Sequence, residues 1–194
     1  MADKNPVVTI QMASGGRIVF ELWPHCAPNA CNSVIHLAQA GAYNGQLIDR
    51  IVPGYAIQPL YGNKENPVLN YLIDGEFAAN GYPEGPPIVE GMVAMAGDSK
   101  RFASGSSFYF ALTAHERFQG NFSIVGKVIE GWDEVKRIEH VKTVSVPSGK
   151  PNVEVNRPLE PEIMQTVTVD TFGVTYDAPV KLALDEAESP KKEA

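Results

Sequence analysis

Apolar and polar residues alternate with a period of two in two segments near the start of the chain. Residues 8–12 and 18–22 each place an apolar side chain at every second position, which is typical of strands that bury one face. Residues 13–16 lie between them and include Gly15 and Gly16, which can adopt the positive φ of a tight turn. The pattern therefore predicts a β-hairpin.

Two other segments have the spacing of helices. The first is predicted over residues 28–40, because Pro28 is tolerated in the first turn of a helix and an apolar stripe follows it. The second is predicted over residues 132–140, where Val135 and Ile138 lie three positions apart. The apolar stripe of the first helix consists of Ala27, Cys31, Val34, Ile35 and Ala38.

The rest of the chain consists of short apolar segments separated by turn residues. We expect an irregular loop over residues 141–162 and a closing strand formed by residues 163–170 and 172–176. Many short strands with two helices predict an all-β architecture. The pattern does not decide between a sandwich and a closed barrel. The short apolar segments are residues 47–48, 51–52, 56–57, 92–95, 107–112 and 124–128.

Composition narrows the class of protein. The 194 residues suffice for one domain with a core. A hydrophobic fraction of 44% and a charged fraction of 20% exclude a wholly disordered, collagen-like or coiled-coil chain. The net charge of −7 argues against nucleic acid and anionic membranes as partners, because both attract basic surfaces.

The two ends and the cysteines suggest where the protein resides. We expect a folded domain over residues 1–176 and a charged, mobile tail over residues 177–194. No signal peptide is recognisable, and Cys26 and Cys31 are expected to be reduced thiols. The sequence therefore favours a cytoplasmic protein. The isolated histidines lack the spacing of a metal site, so no metal is expected.

Residues 48–58 combine an unusual set of side chains. Arg50 lies among strand-like apolar residues, and a Pro-Gly turn, Tyr55 and Gln58 follow it. The residues alone leave two interpretations open. The segment is either an edge strand with a surface arginine or a site in which the arginine acts beside an aromatic ring.

At this point the sequence resembles the cyclophilin-type peptidyl-prolyl cis-trans isomerases of the bacterial cytoplasmic type, over residues 7–176. The resemblance implies a mainly β fold, a closed eight-stranded antiparallel β-barrel capped by two α-helices. It implies an enzyme that accelerates X–Pro isomerisation in proline-containing peptides or unfolded protein chains, as a monomer without cofactor or metal. The matching segments are residues 50–58, 75–77, 91–96, 105–110 and 120–131.

The resemblance also assigns roles to individual residues. Arg50 would be the donor that stabilises a twisted imide bond, because arginine is always charged. Gln58 would hold the peptide backbone or orient Arg50. The substrate groove would be lined by Tyr55, Ala56, Ala96, Ser107, Tyr109, Phe118 and Phe122.

Several positions depart from the family pattern. Asp49 follows Ile48 where the family has Phe-His, and its carboxylate can either orient Arg50 or draw it from the substrate. Pro59-Leu60 replaces a Gly-Gly turn and must alter the local backbone. We expect an altered substrate preference and a low turnover, and the loss of a tryptophan predicts weak cyclosporin binding. The remaining departures are Ser107 for glutamine, Phe122 for histidine and Arg117 for tryptophan.

Two alternative functions remain open. A binding or chaperone module of the same fold would bind proline peptides with weak or no catalysis, and the altered polar residues favour it. A β-barrel that stores a small apolar ligand is the other. An interior filled by the barrel's own side chains would eliminate that second alternative.

Overall fold

The computed structural model describes residues 4–62 and 66–182 and contains a single closed barrel with a helix at each end. The elements follow one another along the chain as β1 (Val7–Met12), β2 (Arg17–Leu22), α1 (Pro28–Gln39), β3 (Gln46–Val52), β4 (Ala56–Pro59), β5 (Leu72–Asp74), β6 (Met92–Gly97), β7 (Phe102–Ala111), β8 (Ile124–Glu130), α2 (Trp132–Glu139), β9 (Thr143–Ser145), β10 (Asn156–Pro158) and β11 (Glu162–Asp170).

Eight antiparallel strands form the barrel in the spatial order β11, β1, β2, β8, β6, β7, β4, β3, and β3 pairs with β11 to close it. The predicted closed barrel is therefore confirmed, as are the β1–β2 hairpin and both helices. The three remaining strands are additions: β5 pairs with β7, and β10 and β9 extend from β3.

The interior of the barrel is filled by aromatic and aliphatic side chains. Phe20, Phe108 and Phe110 meet with ring centroids 5.6 to 6.1 Å apart, and Tyr43 packs edge-on against Phe108 at 5.9 Å. All four are at most 1% exposed. Because no room is left for a ligand between these rings, the ligand-storing alternative is eliminated.

A carboxylate from a distant loop caps the first helix. Glu76 accepts hydrogen bonds from the backbone N–H groups of Asn29 and Ala30, at 3.0 and 2.8 Å. These N–H groups have no partner inside α1, so the carboxylate satisfies them. Burial nevertheless raises the pKa of Glu76, and the two backbone bonds oppose that shift. Residues 75–77, one of the segments that resemble the family, therefore connect α1 to the barrel.

One ion pair and one backbone hydrogen bond tie the second helix to the opposite end of the barrel. Arg137 on α2 contacts Glu134 at 2.8 Å and Glu162 on β11 at 2.7 Å. At the end of the same helix, Glu139 accepts a hydrogen bond of 2.8 Å from the backbone N–H of Gly54. This last bond fixes the turn between β3 and β4, which carries candidate site residues on both sides. Within the described residues, neither helix is long and apolar enough to cross a membrane.

The structure corrects two predictions about the last third of the chain. Residues 172–176 do not continue the closing strand, because a turn follows Asp170 and Phe172 adopts a positive φ of 51°. The predicted loop over residues 141–162 contains β9 and β10. Three-residue strands such as these and β5 are too short to show a period of two, so the pattern missed them.

The chain continues to pack beyond Tyr176. The side chain of Asn29 exchanges two hydrogen bonds with the backbone of Val180, at 2.7 and 3.0 Å. The backbone N–H of Leu182 donates to the carbonyl of Leu72 on β5 at 2.9 Å. We call residues 178–182 the C-terminal strap. The remaining residues of the predicted tail, 183–194, lie outside the described residues.

Candidate functional site

Arg50 lies on β3 directly opposite Gln58 on β4. The pairing register shifts between Ile48 and Arg50, so Asp49 has no partner on β4 and forms a bulge. Opposite residues of an antiparallel pair project from the same face of the sheet. The bulge therefore directs the side chains of Arg50 and Gln58 to one side and that of Asp49 elsewhere.

The Arg50 guanidinium is held by two hydrogen bonds and one ring. Its Nε donates to the backbone carbonyl of Glu154 at 2.8 Å, and its Nη1 donates to Oε1 of Gln58 at 2.9 Å. Its Cζ lies 5.2 Å from the ring centroid of Tyr61. A guanidinium has about five N–H donors, so donors remain for a ligand. Burial lowers the pKa of Arg50, but arginine stays protonated at neutral pH.

Gln58 is itself oriented by a buried serine. The Nε2 of Gln58 donates to Oγ of Ser107 at 3.0 Å, and that hydroxyl donates to the carbonyl of Pro59 at 2.7 Å. Gln58 and Ser107 are 6% and 4% exposed. The hydrogen of the Ser107 hydroxyl is already used, and the residue lies behind Gln58. The hydrogen bonds therefore place Ser107 where it orients Gln58.

Asp49 does not pair with Arg50. Its carboxylate accepts hydrogen bonds from the backbone N–H groups of Tyr61 and Gly62, at 2.8 and 3.3 Å. The backbone change predicted at Pro59-Leu60 is visible here, because Leu60 adopts a positive φ of 61° that ordinarily favours glycine. Asp49 thus stabilises the unusual turn after β4 and leaves the guanidinium free.

The predicted pocket aromatics form a second group, which we call the groove cluster: Tyr55, Tyr109, Phe118 and Phe122. Phe118 packs against Tyr55 with ring centroids 4.6 Å apart and stacks on Tyr109 at 5.2 Å. Phe122 meets Tyr109 edge-on at 5.5 Å. Ala56 is buried in the same apolar cluster. Tyr55 and Phe122 are half-buried, whereas Tyr109 and Phe118 are only 4% and 2% exposed.

One polar atom in the groove cluster lacks a partner. The hydroxyl of Tyr109 is buried and makes no hydrogen bond within the described residues. Burial raises the pKa of Tyr109 well above its ordinary value. Unpaired buried hydroxyls are rare in folded proteins and destabilise them.

Two further positions from the sequence analysis, Ala96 and Arg117, lie near the groove cluster. Ala96 is half-buried on β6, two residues after Ala94, which pairs with Tyr109. Arg117 is exposed on a 3₁₀ turn, Glu116–Phe118, that also carries Phe118. Both residues therefore lie at the border of the groove cluster.

The sequence analysis did not identify two groups that contact the Arg50 guanidinium. One is the backbone carbonyl of Glu154, which β10 places next to β3 through the pairing of Asn156 with Ile51. The other is the ring of Tyr61. A carbonyl carries no sequence signal, because every residue has one. Among the described residues, no group of three or more potential ligand side chains is arranged to hold a metal ion.

Comparisons with known proteins agree on one family. The family model described as cyclophilin type peptidyl-prolyl cis-trans isomerase/CLD matches residues 7–169. A probable peptidyl-prolyl cis-trans isomerase of Brucella suis biovar 1 is 29% identical over 147 residues, which cover 71% of this chain and 74% of the relative. The peptidyl-prolyl cis-trans isomerase ppi1 of Schizosaccharomyces pombe is 27% identical over 158 residues, covering 75% and 88% of the two chains.

Solved structures share the architecture. A cyclophilin type peptidyl-prolyl cis-trans isomerase of Cryptosporidium parvum superposes with a TM-score of 0.67 at 23% identity, covering 86% of this chain and 98% of that one. A second structure of that protein, obtained in the presence of the dipeptide Ala-Pro, gives a TM-score of 0.67 at 22% identity and covers 84% and 98%. At these identities the likeness establishes the fold.

Proposed function

The chain belongs to the cyclophilin-type peptidyl-prolyl cis-trans isomerases, and from this premise we propose that Arg50 is its catalytic residue. The barrier to rotation about an imide bond is about 18–20 kcal/mol, because resonance gives the bond partial double-bond character. Twisting the bond ends that resonance and leaves a basic lone pair on the proline nitrogen. A fixed cationic donor beside this nitrogen stabilises the twisted form more than the planar one.

The observation that carries this proposal is the incomplete hydrogen bonding of Arg50. Glu154 and Gln58 each accept one bond and fix the plane of the guanidinium. Within the described residues, no carboxylate forms an ion pair with it. Its free N–H groups can therefore donate to the imide nitrogen. Because the group is half-buried, such a bond is stronger than in water.

Gln58 and Ser107 act in this proposal by positioning Arg50. The hydrogen bonds that Arg50 donates to Gln58 and that Gln58 donates to Ser107 reduce the number of orientations open to the guanidinium. A preorganised donor needs no reorganisation when charge develops in the transition state. The proline ring binds beside Ala56 against the tyrosine rings of the groove cluster, and Ala96 pairs with the peptide backbone.

We also propose the following partners and location. The substrates are proline-containing peptides and unfolded chains, and the protein acts as a monomer in the cytoplasm without nucleic acid or membrane as partner. The net charge of −7 and the two free thiols support this. Cyclosporin binds weakly, because exposed Arg117 occupies the family's tryptophan position.

The direct test is the exchange rate of an Ala-Pro peptide measured by NMR. Arg50→Ala should lower kcat/KM about 100-fold or more, which is the usual effect of removing one preorganised donor. Arg17→Ala is the matched control, because Arg17 is an exposed arginine on β2 that pairs with Glu130, and this variant should retain parental activity. Peptide-induced chemical shifts in a parental protein that does not accelerate exchange would select the binding module instead.

A further inference from the structure

Phe118 occupies the place where a substrate ring should bind. Its ring packs against Tyr55 at 4.6 Å and stacks on Tyr109 at 5.2 Å with an interplanar angle of 29°. A proline ring needs one of these aromatic faces to pack against. With Tyr109 only 4% exposed, its face is already covered by a side chain of the same protein.

The local structure around Phe118 permits it to move. Residues 114–117, which precede it, are all exposed. On the other side, the side chain of Gln119 exchanges two hydrogen bonds with the backbone of Ile88, both at 2.9 Å. Gln119 also donates to the carbonyl of His115 at 3.2 Å, and the His115 ring packs edge-on against Tyr55 at 5.2 Å. Movement of Phe118 therefore has to release the contact between His115 and Tyr55, while the bonds to Ile88 keep the chain after Phe118 in place.

The arrangement in which Phe118 covers Tyr109, which we call closed, is destabilised by one unpaired polar atom. The ring of Tyr109 stacks on Phe118, and its hydroxyl has no partner within the described residues. A buried hydroxyl without a partner destabilises the state that contains it. When Phe118 moves away, water or a peptide group can pair with this hydroxyl. The hydroxyl therefore favours the open arrangement.

We propose that Phe118 is a gate: it fills the proline site in the free protein and swings out when a proline peptide binds. This inference rests on the proposed function of the groove and identifies the residue that limits access to it. When only a fraction of the molecules is binding-competent, the apparent dissociation constant rises by the inverse of that fraction. Phe118 thus sets KM, while Arg50 sets kcat.

The test compares Phe118→Leu with the parent protein, using an Ala-Pro peptide. The shorter side chain no longer covers Tyr109, so KM should fall about fivefold or more with kcat nearly unchanged. Phe172→Leu is the matched control. It also shortens a phenylalanine, but Phe172 is an exposed residue outside the groove cluster. Its KM should equal that of the parent.

A second variant probes the gate without shortening Phe118. Tyr109→Phe removes the unpaired hydroxyl and therefore favours the closed arrangement, so KM should rise severalfold. The same substitution in the Phe118→Leu protein should leave KM unchanged, because the gate is already open. A purely structural role of the hydroxyl predicts equal effects in both backgrounds. If Phe118→Leu does not fold, Phe118→Met, which conserves the volume of the side chain but also removes the stacked ring, takes its place in both backgrounds.

Failure of the gate can be told apart from failure of the proposed function. If Phe118→Leu leaves KM unchanged or raises it while Arg50→Ala still abolishes catalysis, the gate is wrong and the function stands. If Arg50→Ala keeps full activity, the proposed function fails. In that case the gate is tested by peptide affinity, measured by chemical-shift titration of Arg50→Ala with and without Phe118→Leu. Binding that is fivefold tighter in the double variant supports the gate, and equal affinity overturns it.

Discussion

The two faces of β7 show how differently one strand can use its aromatic residues. Phe108 and Phe110 point into the barrel, whereas Tyr109 between them points to the groove cluster. This is the alternation expected of a strand. The inward rings have no polar atom to satisfy, and the outward ring carries a hydroxyl that has no partner within the described residues.

The contrast is sharper between the two buried tyrosines. Tyr43 is fully buried in the interior, and its hydroxyl donates to the carbonyl of Ser106 at 2.9 Å. Tyr109 is nearly as buried and has no such acceptor. Burial raises the pKa of both, so acidity does not distinguish them. Their hydrogen bonds do distinguish them: the interior tyrosine has an acceptor, whereas the groove-cluster tyrosine has none within the described residues.

The largest expected difference between the barrel interior and the groove cluster is in the stability that the packing of one ring contributes. Phe108→Ala should lower the free energy of unfolding by about 3–5 kcal/mol, because it leaves a cavity among three other rings. Phe122→Ala, in the half-buried groove ring, should lower it by about 1 kcal/mol, the typical value for single substitutions. Urea denaturation of both variants provides the measurement. Equal losses would show that the groove cluster belongs to the core.

The second prediction uses the two hydroxyls. Tyr43→Phe should lower the free energy of unfolding by about 1–2 kcal/mol, because it leaves the Ser106 carbonyl without its donor. Tyr109→Phe should raise it by up to about 1 kcal/mol, because it removes an unsatisfied group. Thermal unfolding followed by circular dichroism gives both values. A loss of stability in Tyr109→Phe would contradict the contrast drawn between the two tyrosines.

The smallest expected change in stability concerns two glutamates whose pKa values are shifted in opposite directions. Hydrogen bonds from Arg137 lower the pKa of Glu134, so its contribution to stability is present above pH 4.5 and is lost as the pH falls through the folded pKa. Burial raises the pKa of Glu76, so its contribution is present below pH 4.5 and is lost as the pH rises through the folded pKa.

Glutamine substitutions should reveal these opposite signs. As the pH rises from about 3 to 7, Glu134→Gln should lose stability relative to the parent, and Glu76→Gln should gain it. Denaturant midpoints measured across this range provide the comparison. Parallel trends in the two variants would show that Glu76 is better satisfied than its burial indicates.

The elements that the sequence predicted well are those with a strong local pattern. The β1–β2 hairpin, α1 and α2 each show a clear period and end at a turn residue or proline. Closure of the barrel followed only from the resemblance to a family, because alternation along a strand does not say which strand lies beside it. The short strands β9 and β10 had no pattern to detect.

The sequence predicted the candidate site as a set of residues but not as an arrangement. Arg50 and Gln58 are paired, which is one of the two roles expected of Gln58, yet the bonds that fix them involve a backbone carbonyl at Glu154 and a buried hydroxyl at Ser107. The packing within the groove cluster was equally hidden. It depends on how Phe118 packs against Tyr55 and Tyr109, and these rings come from three separate segments of the chain.

The C-terminal strap has a consequence for the open edge of the sheet. An unpaired strand edge can recruit another extended chain by hydrogen bonding to it. Leu182 occupies the carbonyl of Leu72 on the outer side of β5, the strand whose inner side pairs with β7. The strap therefore occupies this position of the edge of β5, where another polypeptide could otherwise add a strand to the sheet.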